Sequence, residues 1–348
     1  MVPTAGLLAD TLRQMATGFA RTQELYTAVK LGVADHLAAG PRHARELAQA
    51  VNAHPQALHR FLRKLVVLNL LAEEDDGAFR LLPLGELLCA NHPESVRNLV
   101  LYVGEVGYPA QQGLLYAVQT GRPAFDHVFG MPFFDFFERR LDLSALFDDL
   151  MGQGINDRAA AVVAAYDFSR FDTIVDVGGG NGTLISAILD AYPRLLGIVF
   201  DRPGVAAEGR HGVMRMGLAD RCQTVAGDFF DNSIPPGRDI YLLSYVIHDW
   251  DDERATTILR NCRTAMRQDS RLLLIEEIMP KRAADAPATV GTDLSMLMLT
   301  GGRERTEAEY RSLLLTTGLQ LTSVIPFEPT RDRGGRSSWT IIESKPLP

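Results

Sequence analysis

The stretch Thr173-Ile-Val-Asp-Val-Gly-Gly-Gly-Asn-Gly-Thr183 decides the fold class that this sequence predicts. Its first half is apolar and β-branched, as in a buried strand, and the apolar residues of 184–189 follow at helical spacing. The glycines let the backbone turn sharply and let a ligand approach where a Cβ would block it. Strand, tight turn and helix N-terminus together predict the first unit of a nucleotide-binding α/β sheet, with free N–H groups facing an anionic group.

The spacing of the glycines distinguishes between cofactors. A dinucleotide fingerprint starting at Gly178 and Gly180 requires Gly or Ala where Thr183 stands. The glycines fall instead at 178, 180 and 182, behind an acid at Asp176. This spacing resembles the first motif of class I S-adenosylmethionine-dependent methyltransferases, in which the loop holds the methionine end of the cofactor. Asp201 ends the next apolar run, 201 − 176 = 25 residues later, where a carboxylate can accept both ribose hydroxyls.

Composition narrows the class of protein. A chain of 348 residues can bury a large core and is long enough for two domains. Its net charge of −8 gives no support to a nucleic-acid partner. Cys89, Cys222 and Cys262 show neither metal nor disulfide spacing, which favours a reduced, cytoplasmic setting. Without a signal-like N-terminus or an apolar run of membrane-spanning length, we expect a soluble protein that needs no membrane.

The N-terminal region, residues 1–95, predicts a mainly helical, winged-helix-like domain. A helical pattern over 7–39, helices over 44–51 and 56–71 and a returning strand over 78–82 follow in that order. The second of these paired helices carries Arg60, Arg63 and Lys64, so DNA binding is one interpretation. The region has nine Lys and Arg against ten Asp and Glu, 9 − 10 = −1, and four consecutive acids would repel phosphate. A dimerisation and scaffold role is therefore favoured.

The rest of the chain predicts a helical linker over 96–165 and an α/β domain over 166–348. Most aromatic rings of the linker are expected in the core, while a few contribute to an apolar substrate pocket. In the α/β domain, strands are predicted over 224–229, 239–247, 272–276, 319–325 and 338–344, with a late helix over 307–317. Polar residues follow or end these strands at Asp201, Asp228, His248 and Glu276. Because open α/β sheets bind ligands at the carboxyl ends of their strands, these residues predict a site.

His248-Asp249-Trp250 is the strongest candidate for chemistry in this sequence. Methyl transfer from a sulfonium needs the acceptor held in line and its proton removed. A histidine with an ordinary pKa of about 6.5 can take that proton near neutral pH, best with a carboxylate orienting its ring. A lone histidine is more often structural, but the strand-end position and the neighbouring Trp250, whose ring could cover an adenine, favour a catalytic interpretation.

The whole chain resembles the small-molecule O-methyltransferases, a group that includes plant caffeate O-methyltransferases and bacterial natural-product enzymes. Five motifs occur in the family's order: residues 176–182, Asp228-Phe229, His248-Asp249-Trp250, Glu276-Glu-Ile-Met-Pro280 and Gly301-Gly-Arg-Glu-Arg-Thr306. The resemblance implies a Rossmann-like methyltransferase domain behind a winged-helix-like dimerisation domain, and a homodimer. It also implies S-adenosylmethionine as cofactor and a hydroxyl, preferably phenolic, of a small aromatic or polyketide-type acceptor.

The resemblance also implies roles for individual residues. His248 corresponds to the general base, flanked by the acids Glu276 and Glu304, of which Glu304 is the better candidate to orient the imidazole. Residues at the cofactor would be Asp176, Gly178, Gly180, Asp201, Asp228, Phe229, Ser244 and Trp250. Residues at the acceptor would be Met151, Asp249 and Asp293. The sequence shows no clustered metal ligands, so we expect no catalytic metal.

Several alternatives remain open on the sequence alone. Glu277 is an equally possible strand-end acid, Trp250 can be plain core, and Arg303 or Arg305 can bind Glu304 as a surface pair. The family's Lys before the base is absent, since Ser244 and Tyr245 occupy that stretch, and the Ser that follows the family's Met is absent too. Asn156 or Asp157 can replace its contact to the cofactor tail. Related chains also use the cofactor for hydroxylation or decarboxylation, which is the alternative reaction.

Overall fold

The computed structural model describes residues 5–152, 155–328 and 337–348. The strands are β1 (Arg42–His43), β2 (Leu71–Glu73), β3 (Ala78–Leu81), β4 (Thr173–Val177), β5 (Leu196–Asp201), β6 (Cys222–Ala226), β7 (Ile240–Ser244), β8 (Arg271–Glu277), β9 (Leu319–Pro326) and β10 (Trp339–Pro346). The first helices are α1 (Ala5–Ala16), α2 (Gly18–Lys30), α3 (Val33–Leu37), α4 (Ala44–Ala50), α5 (Pro55–Val67), α6 (Pro83–Glu86), α7 (Arg97–Tyr102), α8 (Tyr108–Gln111) and α9 (Leu114–Thr120). The others are α10 (Ala124–Phe129), α11 (Phe133–Arg139), α12 (Leu141–Gly152), α13 (Ile155–Ala165), α14 (Thr183–Ala191), α15 (Pro203–Arg215), α16 (Asp252–Ala265), α17 (Pro287–Leu299) and α18 (Glu307–Thr316).

The chain divides into two compact units. The first comprises Met1–Pro109 and Ala145–Leu150, and the second comprises Ala110–Ser144 and Met151–Pro348. The sequence predicted domain boundaries near residues 95 and 165. The division into two units does not test those boundaries, which stay predictions.

The first unit packs helices around a small antiparallel sheet with the strand order β1-β3-β2. Helix α5 begins at Pro55, whose missing N–H is no loss in a first turn, and the His54 side chain accepts the N–H of Ala57. Leu58, Leu62 and Leu65 recur every three or four residues, and all three are buried in the core of this unit. The predicted order of helix, turn, helix and hairpin is therefore confirmed. The helical pattern predicted over 7–39 is divided among α1, α2 and α3.

Two of the basic residues of α5 are paired with acids of the same unit. Arg63 Nε lies 3.3 Å from Glu73 Oε2, and Lys64 Nζ lies 3.6 Å from Glu24 Oε1. These ion pairs reduce the positive charge that the helix can present to a phosphate, in agreement with the charge argument against DNA binding.

The second unit is built on a seven-stranded sheet with the order β6-β5-β4-β7-β8-β10-β9. The strands from β6 to β8 are parallel, whereas β10 runs antiparallel to both β8 and β9. In β4, Val175 and Val177 face one core cluster and Ile174 faces the other, as the two-residue period of a strand requires. Both faces are thus covered, and ligands have access at the carboxyl ends of the parallel strands. The α/β fold expected from the sequence is confirmed.

Two predicted strands end earlier than the sequence suggested. The prediction of 239–247 as one strand was wrong at its end, because β7 stops at Ser244 and Tyr245 takes a positive φ of 60°. The strand predicted over 224–229 is β6, which ends at Ala226, so Asp228 lies in the loop beyond it. Apolar residues continue past the end of β7, so the hydrophobic pattern alone could not locate that break.

Most aromatic residues of the segment before the sheet pack against one another. Phe125 meets Phe129, Phe133 and Phe136 at centroid distances of 4.3, 5.1 and 5.4 Å. Phe125, Phe133, Phe136 and Phe137 are buried, as expected for core rings.

In the described ranges, no helix combines the length and apolar character needed to cross a bilayer.

Asp239 fastens the beginning of β4 to that of β7, and its removal should destabilise the sheet. Its Oδ2 accepts the N–H groups of Asp172 and Thr173 at 3.0 and 2.8 Å and the Thr173 hydroxyl at 2.9 Å. Burial alone would raise the pKa of this carboxyl, but these hydrogen bonds and Arg267 lower it below 3.8. We expect Asp239→Asn to reduce the free energy of unfolding by about 1–3 kcal/mol at pH 7.

Urea unfolding at several pH values tests this prediction. Because the folded-state pKa is lowered, the contribution is complete above the unfolded pKa and is lost as the pH falls below 3.8. The exposed Asp190 provides the control Asp190→Asn, which should change little. An Asp239→Asn variant as stable as the wild type at pH 7 would contradict the prediction.

Candidate active site

His248 is presented by a short turn rather than by the strand itself. After Tyr245 leaves β7, the 3-10 turn Ile247–Asp249 places the imidazole in the interior, where only 2% of the residue is exposed. A short turn at the end of a strand can direct one side chain towards the interior. If the strand continued instead, the same residue would lie farther along the strand, beyond the site. The predicted strand-end histidine is therefore present, although its position depends on a turn that was not predicted.

Glu304 holds the imidazole at one nitrogen. Nδ1 of His248 lies 2.7 Å from Glu304 Oε1, and both groups are buried. Nε2 lies 3.6 Å from Asp249 Oδ1, beyond ordinary hydrogen-bond distance. With the proton on Nδ1, the imidazole donates a hydrogen bond to Glu304 Oε1, and Nε2 is left as a proton acceptor. The structure thus brings together His248 and Glu304, two of the three residues expected to do the chemistry.

The two acids at the end of β8 are engaged differently. Oε1 of Glu276 accepts the N–H groups of Val246 and Ile247 at 3.2 and 2.8 Å, so Glu276 holds the turn that carries the base. Glu277 accepts the hydroxyl of Tyr245 at 2.8 Å. Glu276 thus lies beside His248, and Glu277 reaches the site through Tyr245. Which of the two acids acts in the reaction stays a prediction.

The segment after α17 binds the main chain of the same turn. A Cβ at Gly302 would lie 2.0 Å from the carbonyl oxygen of His248, so this approach requires glycine. The N–H of Arg303 donates to that oxygen at 2.8 Å. The guanidinium of Arg305 donates to the carbonyl oxygens of Ile247 and Trp250 at 3.0 and 2.7 Å.

Neither arginine forms the surface pair with Glu304 that the sequence left possible. Arg305 is only 1% exposed and makes its ion pair with Asp252, at 2.9 Å. Arg303 is paired with Glu309. Buried, fully hydrogen-bonded guanidinium groups are usually structural, and this one fixes the turn that carries the base.

Burial raises the pKa of three acids around the imidazole. Desolvation raises the pKa of Glu304 to about 9, with the charges of Glu277 and Asp293 acting in the same direction. Desolvation also raises the pKa values of Glu276 and Asp249 to about 7, opposed in both cases by His248. Oε2 of Glu276 and Oε2 of Glu304 have no hydrogen-bond partner. Ionisation of these acids therefore costs free energy, and the site favours their protonated forms.

His248, Glu276 and Glu304 also bring possible metal ligands together. Within the described ranges they form a group whose ligand atoms all lie within 4.8 Å of one another. The sequence argument against a metal is therefore incomplete, since these residues are 276 − 248 = 28 and 304 − 276 = 28 positions apart. In the structure, Nδ1 and one Glu304 oxygen bind each other, and one Glu276 oxygen binds two amides. The absence of a metal stays a prediction.

The glycine loop after β4 has the geometry of a ligand cradle. Gly178, Gly180 and Gly182 all take positive φ values, 75°, 57° and 76°. A Cβ on Gly180 would meet nothing within 4 Å, so the loop is open on that side. Asp201 Oδ2 accepts the Gly180 N–H at 2.9 Å, and its Oδ1 accepts the N–H of Arg202 at 2.7 Å. These bonds orient the Asp201 carboxylate beside the loop and leave lone pairs for ligand hydroxyls.

Asp176 lies beneath this loop. A Cβ on Gly179 would be 2.8 Å from its carboxyl carbon. Its two oxygens are buried without a hydrogen-bond partner, and desolvation, with the charge of Asp201, raises its pKa to about 7. A buried, unpaired carboxyl fits a site that receives a cationic ligand, as the ammonium and sulfonium groups of S-adenosylmethionine would be.

The remaining predicted cofactor residues are partly exposed or lie near the loop. Trp250 has an unpartnered indole N–H, and its ring lies 6.0 Å from that of Phe229 and 5.5 Å from that of Phe134. Trp250 is half-buried and packs against the core, so its contact with an adenine stays a prediction. Asp228 is exposed and its Oδ1 accepts the N–H of Phe230 at 2.9 Å. Ser244 ends β7 and is half-buried.

The predicted acceptor residues are only partly tested by the structure. Asp249 lies beside Nε2 of the base, as expected for a residue that faces the acceptor. Asp293 Oδ1 accepts the N–H of Glu304 at 2.9 Å, so its visible contact orients the acid rather than an acceptor. The side chain of Met151 lies outside the described residues. The roles of all three towards an acceptor stay predictions.

Three residues that sequence reasoning missed support the base. The ring of Tyr245 contacts the imidazole at a centroid distance of 4.0 Å, Gly302 admits the close main-chain approach and Arg305 binds the turn. The double glycine at 301–302 was the sequence signal that could have predicted the role of Gly302. No pattern in a single sequence predicts that a tyrosine takes a positive φ or that an arginine is buried.

Two family descriptions match the chain. Residues 112–320 match the O-methyltransferase domain, and residues 13–91 match the O-methyltransferase dimerisation domain. The chain belongs to the O-methyltransferase family. It is an S-adenosylmethionine-dependent methyltransferase with a dimerisation domain and a Rossmann-like catalytic fold, as the sequence resemblance implied.

Individual relatives agree with this assignment. The phenazine O-methyltransferase of Lysobacter antibioticus is 38% identical over 98% of this chain and 97% of its own. The structure of a mitomycin 7-O-methyltransferase is 37% identical, with a TM-score of 0.89 over 98% of each chain. An O-methyltransferase of neocarzinostatin biosynthesis is 35% identical, with a TM-score of 0.83 over 94% of this chain and 96% of its own. That structure contains S-adenosylmethionine and 2-hydroxy-5-methyl naphthoic acid.

The buried acids of this O-methyltransferase predict a stability that falls as the pH rises. Glu304 has a folded-state pKa of about 9 against an ordinary 4.5, so its protonated form contributes stability that is complete below 4.5 and lost as the pH rises towards 9. Glu276, with a pKa of about 7, acts in the same direction. We expect the melting temperature of the ligand-free protein to be lower at about pH 8.5 than at about pH 5.5.

Thermal unfolding of Glu304→Gln and Glu276→Gln isolates the source of this slope. Each variant removes one ionisable group, so each should show a shallower fall with pH than the wild type. Glu307→Gln, at an exposed position of α18, is the matched control and should keep the full slope. Gln variants as steep as the wild type would refute the buried-acid explanation.

Proposed function

We propose that this enzyme methylates a hydroxyl, preferably phenolic, of a small aromatic natural product, with His248 as the general base. The observation that carries the proposal is the buried imidazole held at Nδ1 by Glu304, 2.7 Å away. We propose that Nδ1 carries the proton, which leaves Nε2 as the acceptor. A fixed, oriented imidazole removes a proton from a positioned hydroxyl without first having to be ordered.

His248, Glu304 and Glu276 have separate roles in one proposed proton transfer. S-adenosylmethionine, when bound, supplies a methyl group on a sulfonium that leaves as a neutral thioether. His248 takes the acceptor's hydroxyl proton at Nε2 while the acceptor oxygen forms its bond to the methyl carbon. Glu304 then stabilises the imidazolium at Nδ1, because the positive charge formed on the ring favours the ionised carboxylate that burial otherwise disfavours. Glu276 keeps the turn in place through two amides. We propose this mechanism without a metal.

The residues proposed to hold the cofactor lie around the end of β4. Gly178 and Gly180 offer an open backbone loop, and Asp201 offers carboxylate lone pairs for ribose hydroxyls. We propose that Asp176 balances the cofactor's positive charge from beneath the loop. Asp228, Phe229, Trp250 and Ser244 complete this proposed set.

The proposed acceptor class rests on relatives and on a carboxyl beside the base. Relatives are named for a phenazine and for mitomycin, and one solved relative contains a hydroxylated naphthoic acid. We propose a flat ring system with a phenolic hydroxyl for this chain as well. Asp249, next to Nε2 and with a raised pKa of about 7, is protonated part of the time near neutral pH and can then donate to a polar substituent.

His248→Gln tests the proposed base. Methyl transfer from S-adenosylmethionine to a panel of hydroxyphenazines and hydroxynaphthoic acids should fall by about 10²–10⁴-fold in kcat, because proton removal is lost. Calorimetric titration should show unchanged affinity for S-adenosylhomocysteine, since the histidine does not build the glycine loop. Assays run with a chelator should give the same rates.

His211→Gln, at an exposed position of α15, is the control and should retain full activity. A His248→Gln variant that methylates as fast as the wild type would refute the base assignment. An oxidised or decarboxylated product in place of a methylated one would favour the alternative reaction.

We further propose that the first unit, through its winged-helix-like region, forms a homodimer. Leu8, Leu12, Met15 and Phe19 recur every three or four residues and are between 51% and 71% exposed. An apolar stripe of this kind is normally covered by a partner, and the matched dimerisation domain begins within it, at residue 13.

We also propose a reducing, cytoplasmic setting, which the free cysteines Cys89, Cys222 and Cys262 fit.

Sedimentation velocity tests the dimer. The double change Leu8→Asp and Leu12→Asp should convert a dimer to a monomer, because two charges would have to be buried in the interface. Val67→Asp is the control, since Val67 is 72% exposed in the same unit but away from the stripe. A wild-type monomer, or a double variant that stays dimeric, would contradict the proposal.

A further inference from the structure

Tyr245 has a backbone conformation that its own chemistry disfavours. Its φ is 60°, and the other non-glycine residues with positive φ in the described ranges are Asn52 and Asn69. Asparagine tolerates this region because its short side chain bonds to the local backbone, whereas an aromatic residue gains nothing comparable. Strain of this kind persists only where the surroundings impose it, and it is concentrated at functional sites.

The surroundings of Tyr245 fix its ring from several directions. Its hydroxyl donates to Glu277 Oε1 at 2.8 Å, and Glu277 Oε2 accepts the Thr289 hydroxyl at 2.5 Å. The Trp339 ring stacks on it at 4.8 Å, and the Arg158 guanidinium lies 4.9 Å from its centroid. Glu277 and Thr289 are buried, so the hydrogen-bonded end of the tyrosine is anchored in the protein interior.

The anchored ring bears directly on the base. The centroids of Tyr245 and His248 are 4.0 Å apart, with 44° between the ring planes. Glu304 constrains the imidazole at its Nδ1 edge, but a single hydrogen bond at an edge allows the ring to swing about that bond. Contact with the ring itself removes this remaining freedom.

We propose that Tyr245, anchored through Glu277 and Thr289, is the positioning residue that fixes the plane of the His248 imidazole. The proposal rests on the proposed role of His248 as general base. The break at Ser244 and the positive φ of Tyr245 are what place its ring against the imidazole instead of along the strand. Because a misplacement of about 1 Å can lower a rate by about a hundredfold, holding this plane is a contribution to turnover.

Tyr245→Leu and Tyr245→Phe test the proposal, with Tyr166→Phe as a matched control. Tyr166 also donates its hydroxyl to a buried glutamate, Glu343, at 3.1 Å, so its loss removes the same kind of bond elsewhere in the second unit. We expect kcat to fall by about a hundredfold for Tyr245→Leu and by less for Tyr245→Phe, which keeps the ring. Affinity for S-adenosylhomocysteine should stay within about twofold in all three, since none alters the glycine loop.

A spectroscopic measurement separates positioning from general stability. Protein with ¹⁵N-labelled histidine rings, saturated with S-adenosylhomocysteine, should show one His248 tautomer protonated at Nδ1, assigned by its disappearance in His248→Gln. Tyr245→Leu should replace that signal with a tautomer mixture or a broadened resonance, and Tyr166→Phe should leave it unchanged. If Tyr245→Leu does not fold, Tyr245→Phe and Glu277→Gln are read in the same way.

The outcomes separate this proposal from the one on which it rests. An unchanged His248 signal and unchanged kcat in the Tyr245 variants would overturn the positioning role. Full activity of His248→Gln would instead overturn the base assignment. In that case a changed His248 signal in Tyr245→Leu would still establish that Tyr245 holds the imidazole.

Discussion

The site depends on the main-chain contact between the turn at 247–250 and the segment at 302–305. Gly302 approaches the carbonyl of His248 so closely that no side chain fits between them, and the N–H of Arg303 donates to that carbonyl. The same segment carries Glu304, so the contact that fixes the turn also delivers the acid to Nδ1 of the imidazole. Arg305, with two further carbonyl contacts, makes the segment and the turn one rigid body. Base and orienting acid therefore come from distant parts of the sequence but share one local framework.

This arrangement buries several acids close to the proposed proton transfer, and their burial lowers the free energy of unfolding when they ionise. The pKa values of Glu304, Glu276, Asp249 and Asp176 are all raised by desolvation. An uncompensated group of carboxyls favours the protonated state, and their ionisation opposes folding. At the proposed cofactor position, a cationic ligand would offset the cost of ionising these acids and would be favoured there over its neutral product.

Sequence alone predicted the parts of this protein that follow from local patterns. The glycine loop, the α/β alternation and the strand-end acids Asp201 and Glu276 are carried by periodicity and spacing, and they were placed correctly. Asp228 was not, since it lies in the loop beyond β6. The end of β7 was not, because apolar residues continue beyond Ser244 while the backbone reverses at Tyr245. The buried role of Arg305 and the division of work between Glu276 and Glu277 depend on which groups meet in three dimensions. No single-sequence pattern records such contacts.

The central claim is that His248 and Glu304 act as one catalytic unit, and a double-variant cycle on kcat tests it most directly. His248→Gln, Glu304→Gln and the combined variant would be compared on one acceptor, with S-adenosylhomocysteine binding as the check on folding. If Glu304 acts through His248, the combined variant should be no slower than His248→Gln alone, because the acid has nothing left to orient. Losses that multiply, so that the combined variant is slower by the full effect of Glu304→Gln, would show that the two residues act independently and would contradict this account.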